Sequence, residues 1–249
     1  FAELAGESAV ADEAFAALAA QGSGAGVYLR ARALADPAQF DVPPTARDLE
    51  SAEQALAYLA HHEELVQRDS RCMNFWFDLW WLLHAGQRPF ADERFCVPFT
   101  EAKWREAIGL IDQLERSGPS YRDLALQFLR GLAEFHLDDP SASFATFDEV
   151  LRRSEGVRGR RRIVRAYLAS TPEGRPQLFH GTVSRLSNDL RRGEVYVEEL
   201  RRGVTFLPRE FRTRELARGV NLGDFHIAFN FLGIVADPPG FLRGRREAR

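Results

Sequence analysis

Apolar residues recur at helical spacing through the first part of the chain, up to about Ser170. The clearest stripe consists of Trp104, Ile108, Ile111 and Leu114, which fall at i, i+4, i+7 and i+10. A helix over residues 71–84 is apolar on most sides, so we expect it to be buried on most sides. This region is therefore predicted to be a bundle of helices.

Capping residues indicate where several of the helices begin. Thr45 followed by Asp48 predicts a capping box at the start of a long helix that runs towards Leu65. The pair Asp139 and Pro140 predicts another start, because proline is tolerated at the first helical position. A last helix, rich in arginine, is predicted over residues 157–170.

The spacing of apolar residues changes at residues 171–175. Beyond them, short segments alternate between apolar and polar residues and are separated by turn residues, which is the pattern of half-buried strands. Alternation places Phe206 in the core. Five such strands in about sixty residues fit a small closed barrel of the OB type. The segments are 179–186, 193–197, 204–207, 225–229 and 233–236.

We therefore predict an α+β protein. Residues 1–172 are expected to form a helical domain of paired antiparallel helices, and residues 176–237 a five-stranded OB-like barrel. Residues 238–249 are expected to be a flexible basic tail. The boundary at residues 171–175 is expected to separate two cores.

The distribution of charge differs between the two halves of the chain. Residues 1–155 hold 14 basic and 26 acidic side chains, whereas residues 156–249 hold 19 basic and 10 acidic ones. An asymmetry of this size indicates different partners for the two halves. The basic half is the candidate for contact with a polyanion.

Composition also bears on the compartment. The two cysteines, Cys72 and Cys96, are too few for a disulfide framework and are expected to be free thiols, as in a cytoplasmic protein. No apolar run is long enough to span a membrane. Because the chain begins at Phe1 and its one methionine is Met73, we expect it to be part of a longer protein.

Residues 124–153 resemble a tetratricopeptide repeat. Gly131 and Ser143 occupy the positions where the two helices of that repeat carry small residues, and Phe147 and Val150 fall at its next packing positions. Small residues let the helices approach closely. Weaker copies extend the resemblance over about residues 12–170. The resemblance implies a helical array that docks a protein partner, although a generic array of helix pairs explains the pattern nearly as well.

The C-terminal segment resembles a cold-shock domain. Residues 181–186, Gly-Thr-Val-Ser-Arg-Leu, are similar to the opening Gly-Lys-Val-Lys-Trp-Phe of that family, and residues 192–197 to its Lys-Gly-Phe-Gly-Phe-Ile. Residues 203–208 stand where the family has Asp-Val-Phe-Val-His-Phe. The resemblance implies an OB fold that binds single-stranded RNA or DNA by stacking bases on aromatic rings.

The residues at the family's contact positions differ from its pattern. Among them only Tyr196 keeps a ring that can stack; the other positions hold Arg185, Glu194, Thr205, Leu207 and Pro208. Binding would therefore depend on arginine and phosphate contacts. The predicted nucleic-acid site consists of Arg185, Arg192, Tyr196, Arg201 and Arg202.

A second basic patch is predicted just before the barrel. It consists of Arg158, Arg160, Arg161, Arg162 and Arg165. This run is either a solvated helix face or an extension of the basic surface of the barrel. In the second case nucleic-acid binding would depend strongly on salt.

No motif for catalysis, a cofactor or a metal is found in the sequence. The run His61-His62-Glu63-Glu64 lacks the spacing of a zinc protease, since Val66 stands where the second histidine belongs. His136 with Asp138 is read as an ordinary helix end. There is no phosphate-binding glycine loop with a lysine and no nucleophile elbow. The tryptophans are read as core side chains.

The sequence thus predicts a non-catalytic binding or sensing module without a cofactor. Its helices would dock a protein partner and its basic barrel would contact single-stranded nucleic acid. Two alternatives stay open. The chain is an adaptor that binds only proteins, or it is a fragment of an enzyme whose catalytic domain is missing.

Overall fold

The computed structural model describes residues 4–37, 39–41, 43–90, 95–117, 123–154, 167–211, 216–231 and 233–239. Within them the protein is α+β, with eight helices and one sheet of seven strands. The helices are α1 Leu4–Ala20, α2 Gly24–Leu34, α3 Ala46–His61, α4 Glu63–Arg68, α5 Ser70–Ala85, α6 Glu101–Arg116, α7 Asp123–His136 and α8 Pro140–Ser154. No helix in the described ranges is both long and apolar enough to cross a membrane.

The predicted capping box at the start of α3 is confirmed. The hydroxyl of Thr45 accepts a hydrogen bond from the amide of Asp48 at 3.2 Å, and the amide of Thr45 donates to the carboxylate of Asp48 at 2.8 Å. These hydrogen bonds lower the pKa of Asp48. Two amides at the first turn, which have no partner within the helix, are thereby satisfied.

All seven strands belong to one open sheet. They are β1 Phe95–Cys96, β2 Tyr167–Leu168, β3 Thr182–Leu186, β4 Gly193–Val197, β5 Arg202–Phe206, β6 His226–Asn230 and β7 Gly233–Asp237. Their order across the sheet is β1-β2-β6-β7-β5-β4-β3. The β1–β2 and β5–β7 pairs are parallel, and the other pairs are antiparallel.

The prediction of a closed five-stranded barrel is wrong. The sheet is open, and β1 and β2 extend it beyond β6. Where the chain enters β3 and β6, the two segments are joined by isolated bridges, between Phe179 and Phe225 and between Thr182 and Asn221, and by a few further backbone hydrogen bonds rather than by a continuous ladder. The additional strands come from chain segments whose sequence carried no alternating pattern long enough to predict them.

The end of the predicted helix over residues 157–170 is also a strand. Tyr167 and Leu168 form β2, and the amide of Ala169 donates to the carbonyl of Ile227 at 2.8 Å. Both β2 side chains are buried. Pairing with distant strands therefore overrides the local helical pattern at these residues. The first part of the predicted helix lies in residues 155–166, outside the described ranges.

The chain divides into two compact units. The first comprises Phe1–Ala91 and Ile108–Asp123, and the second comprises Asp92–Ala107 and Leu124–Arg249. These bounds differ from the predicted domains over residues 1–172 and 176–237. The predicted tail lies mostly outside the described ranges, which end at residue 239.

Helix α5 lies in the core of the first unit. Leu79 and Trp81 are completely buried, as expected for a helix that is apolar on most sides. The ring of Phe75 meets the ring of Tyr28 from α2 edge-on at 5.9 Å. Cys72 is buried, and its thiol donates to the carbonyl of Gly24 at 3.3 Å. The aromatic stripe of α5 thus serves packing.

In the second unit, helices and strands share one core. The ring of Phe229 on β6 lies 4.8 Å from that of Phe135 on α7 and 5.5 Å from that of Phe147 on α8. Phe128 stacks on Phe231 with centroids 4.8 Å apart. The expectation of separate cores for helices and strands does not hold here. The reason is that the apolar faces of α7 and α8 cover the inner face of the sheet.

The close approach of α7 and α8 depends on two small residues. The buried hydroxyl of Ser143 donates to the carbonyl of Gly131 at 2.7 Å. A side chain at Gly131 would meet the ring of Phe147 at 2.9 Å. The two residues singled out in the sequence therefore lie at the contact between the helices.

Candidate nucleic-acid interface

The strands β3, β4 and β5 have one buried and one exposed face. Along β4, Gly193, Val195 and Val197 are buried while Glu194 and Tyr196 are exposed. On β5, Phe206 is completely buried, as alternation predicted, and Thr205 is exposed. The exposed face of these three strands, which we call the outer face, is therefore available for a ligand.

Tyr196 is the one large aromatic side chain on the described outer face. It is 39% exposed. Its cross-strand neighbours are Thr182 on β3 and Gly203 on β5. Thr182 is small, but on the β5 side the place of a Gly203 side chain is taken by Glu194, whose Oε1 lies 2.5 Å from where a Cβ of Gly203 would be. An exposed ring of this kind can stack against a flat ligand.

A carboxylate occupies the middle of the outer face. Glu194 lies opposite Arg185 on β3 and Thr205 on β5. The hydroxyl of Ser184 donates to the Glu194 carboxylate at 2.9 Å. A negative charge at this position opposes phosphate, so a nucleic-acid backbone would have to lie towards the ends of the strands.

Three of the predicted arginines lie at the ends of β4. Arg192 immediately precedes β4, with Arg185 nearby on β3, and Arg201 lies in the turn between β4 and β5. Arg201 has a positive φ of 50°, as tight turns require. With a rise of about 3.3 Å per residue, β4 separates the two ends by about 16 Å. All three side chains are exposed.

Arg202 is placed differently. Its guanidinium lies 5.3 Å from the ring centroid of Phe144 on α8, and one of its amino groups lies 3.4 Å from the hydroxyl of Ser141. The side chain therefore packs against a helix rather than on the outer face. The five predicted residues do not form one cluster.

The sheet itself is not basic. In the described part of residues 156–249 there are eight arginines and eight acidic residues. The excess positive charge of this half belongs to residues 156–166, 212–215 and 240–249, which lie outside the described ranges. The predicted patch of Arg158, Arg160, Arg161, Arg162 and Arg165 is among them.

Sequence reasoning missed the environment of His136. Its Nδ1 donates to the carbonyl of Leu132 at 2.9 Å, and its Nε2 accepts from the amide of Ser170 at 3.1 Å. Burial lowers the pKa of His136 from 6.5 to about 4. The ring is therefore neutral near pH 7, with both nitrogens occupied. No local sequence pattern connects it to Ser170, which is 34 residues away.

His136 forms part of the wall of a cleft of about 500 Å³ in the second unit. The ring of Trp104 stacks on the imidazole with centroids 4.5 Å apart. Ser170 fixes the strand side of the wall, because its hydroxyl donates to the carbonyl of Val97 at 2.9 Å. The other lining residues within the described ranges are Phe99, Glu101, Phe135, Leu137, Asp138, Pro140, Pro172, Gln177, Phe179, Glu199 and Leu200.

The described residues contain no group of three or more histidine, cysteine, aspartate or glutamate side chains that could hold a metal ion. His61 and His62 lie edge-on to each other, with centroids 5.1 Å apart. Burial raises the pKa of Cys72 to about 12 and that of Cys96 to about 11. Both thiols are thus poor nucleophiles at neutral pH.

Comparison with known proteins finds no match for this chain among family models, curated proteins or solved structures. The functional argument therefore depends on the geometry of the described residues.

Proposed function

We propose that this protein is a non-catalytic binding module whose outer face contacts single-stranded RNA or DNA. The observation that carries the proposal is Tyr196, an exposed ring on β4 between Thr182 and Gly203. Stacking of a base on such a ring contributes about 1–3 kcal/mol and is tolerant of sequence.

The pairing of the strands supports an OB-like arrangement. Five strands pair in the order β3-β4-β5-β7-β6, and the isolated bridges link the segments that precede β3 and β6. OB folds are partly open five-stranded Greek-key barrels that bind oligonucleotides on the face of their second and third strands. In this chain those strands correspond to β4 and β5, which carry Tyr196 and Thr205.

Phosphate contacts would come from Arg185 and Arg192 at one end of β4 and from Arg201 at the other. None of these side chains makes a hydrogen bond or ion pair with another described residue, so each can turn towards a phosphate. Because Glu194 lies between them and the sheet has no excess of positive charge, we expect weak binding with little sequence preference.

A fluorescence-anisotropy titration with a short labelled single strand tests this proposal. Tyr196→Ala should raise the Kd about 5- to 150-fold, the loss of one stacking contact, whereas Tyr196→Phe should bind like the parent protein. Arg185→Gln with Arg192→Gln should weaken binding and flatten the salt dependence, whose slope is about −0.7 per phosphate on a single strand.

Arg202→Gln provides the matched control, because this guanidinium packs on Phe144 of α8 rather than on the outer face. It should leave the Kd within about twofold of the parent protein, as expected for a charge that does not touch a strand bound on the outer face. Equal binding by Tyr196→Ala and the parent protein would place the ligand elsewhere and refute the outer-face proposal.

A second candidate is an adaptor that binds only proteins. The equal numbers of arginines and acidic residues in the described C-terminal part favour it. The helices contribute to either proposal, because Leu18 on α1 is 42% exposed and Leu29 on α2 is 38% exposed, as at a surface for a protein partner. The resemblance of α7 and α8 to a tetratricopeptide repeat supports the same role. The adaptor predicts no oligonucleotide binding even at low salt.

A further inference from the structure

The outer face carries a carboxylate beside Tyr196. Glu194 pairs across the sheet with Thr205, yet its side chain leans along β5 over Gly203, the residue directly opposite Tyr196. Its Oε1 lies 2.5 Å and its Cδ 2.6 Å from where a Cβ of Gly203 would be. Since opposite residues of an antiparallel pair have Cβ atoms about 4.5–5.5 Å apart, the carboxylate lies next to the Tyr196 side chain.

Two features of the neighbouring strands keep the carboxylate at this place. On β3 the register shifts at Ser184, as at a β-bulge, and bulges re-aim side chains. The Ser184 hydroxyl donates to Oε1 of Glu194 at 2.9 Å and lies 3.2 Å from the main-chain oxygen of the same residue. On β5 the backbone of Gly203 does not have a positive φ, so its conformation does not require glycine. The space taken by the carboxylate does, because a larger side chain would displace it.

The carboxylate keeps acceptor capacity for a ligand. Glu194 forms no ion pair with any described residue, and this includes Arg185, which lies opposite it on β3. An ionised carboxylate offers about four lone-pair sites, of which the hydroxyl of Ser184 takes one. We propose that Glu194 selects guanine as the base that stacks on Tyr196, an inference that rests on the function proposed above for the outer face.

Guanine is the base whose edge fits a carboxylate. Its Watson–Crick edge presents two adjacent donors, the ring N1–H and the 2-amino group, which can meet the two oxygens of Glu194. Adenine and cytosine have an acceptor nitrogen beside their amino group, and the N–H of thymine or uracil lies between two carbonyl groups. These acceptors repel a carboxylate. The preference concerns only the nucleotide on Tyr196, so the strand as a whole remains tolerant of sequence.

Fluorescence anisotropy at low salt tests the inference with strands that carry a single base. The probe is a short labelled strand of abasic nucleotides with either guanine or hypoxanthine at its centre. Hypoxanthine is guanine without the 2-amino group, so it stacks over nearly the same area but offers one donor fewer. We expect the guanine strand to bind about fivefold or more tighter, because hypoxanthine loses a hydrogen bond to a charged acceptor.

Substitutions assign this preference to the carboxylate. Glu194→Gln should reduce it to within about twofold, while the hypoxanthine strand binds as well as before or tighter, because repulsion of the phosphates is lost. Gly203→Ala keeps the charge and the ring but displaces the carboxylate, so the preference should fall in the same way. Glu198→Gln is the matched control, since it removes the same charge from an exposed residue just beyond β4 and should leave the preference unchanged.

The outcomes separate this inference from the proposed function. Equal binding of the two strands by the parent protein would overturn the inference, and so would a preference that survives in Glu194→Gln or Gly203→Ala. The outer-face function would withstand these results if Tyr196→Ala weakened the binding of both strands. If neither strand bound, or if Tyr196→Ala bound both like the parent protein, the function and the inference would fail together. Circular dichroism of the variants establishes that an altered affinity is not a loss of fold.

Discussion

Replacing Gly131 with alanine perturbs the contact between α7 and α8 at a single point. The added methyl group would lie 2.9 Å from Cε2 of Phe147 and 3.2 Å from Cγ2 of Thr146. Phe147 has little room to retreat, because it is 1% exposed and its ring lies 5.1 Å from Phe128 and 5.5 Å from Phe229.

Two effects of opposite sign determine how Gly131→Ala changes the free energy of unfolding. Alanine is favoured over glycine in a helix interior by about 1 kcal/mol, whereas inserting a methyl group into a packed core costs about 1–3 kcal/mol. The free energy of unfolding of Gly131→Ala should therefore be between unchanged and about 2 kcal/mol lower. Gly109 on α6 is the control, because a methyl group there meets no atom within 4 Å. Gly109→Ala should be about 1 kcal/mol more stable than the parent protein.

Urea unfolding followed by circular dichroism measures both variants. We expect them to differ by about 1–3 kcal/mol, the cost of overpacking alone. Adding Phe147→Leu to Gly131→Ala removes the ring edge, so in a double-mutant cycle the two changes should cost less together than the sum of their separate effects. If Gly131→Ala gained as much stability as Gly109→Ala, the helices would not approach as closely as the structure indicates.

Two further predictions concern titrating groups. Because the folded pKa of His136 is about 4 and its usual value is 6.5, the unfolded chain takes up the proton first on acidification. Stability should then fall between pH 6.5 and 4 by up to about 1.4 kcal/mol per pH unit. Urea unfolding at several pH values should show a shallower slope for His136→Gln, and identical slopes would contradict this assignment. Cys72 and Cys96, whose raised pKa values are about 12 and 11, should react slowly with a thiol reagent at pH 8 and rapidly in urea. Fast reaction of the folded protein would show that their burial is incomplete.

Several local features were predictable from the sequence, because they depend on residues that are close in the chain. The capping box of Thr45 and Asp48 is set by residues three apart and forms as expected. Alternation placed Phe206 inside the sheet. The resemblance of residues 124–153 to a tetratricopeptide repeat singled out the pair Gly131 and Ser143, which lie on neighbouring helices joined by a short turn.

Features of the candidate sites were less predictable. Tyr196 was singled out because it occupies a contact position of the cold-shock domains that the segment resembles, and the structure places it among the exposed residues of β4. The packing of the Arg202 side chain against α8 was not predicted. A position at the start of a strand does not show that a helix lies within reach of the guanidinium. The cleft was missed altogether, since its lining residues come from separate parts of the chain.

The sequence by itself determined the main helices, the strands β3 to β7 and which of their faces are apolar, because these properties follow from local periodicity and capping. Only the tertiary structure decided which partner covers each face. Tyr167 and Leu168 continue a helical pattern yet form a strand, since pairing with β1 and β6 satisfies their backbone and buries both side chains. For the same reason α7 and α8 share a core with the sheet: an apolar face must be buried, but its sequence does not specify against what.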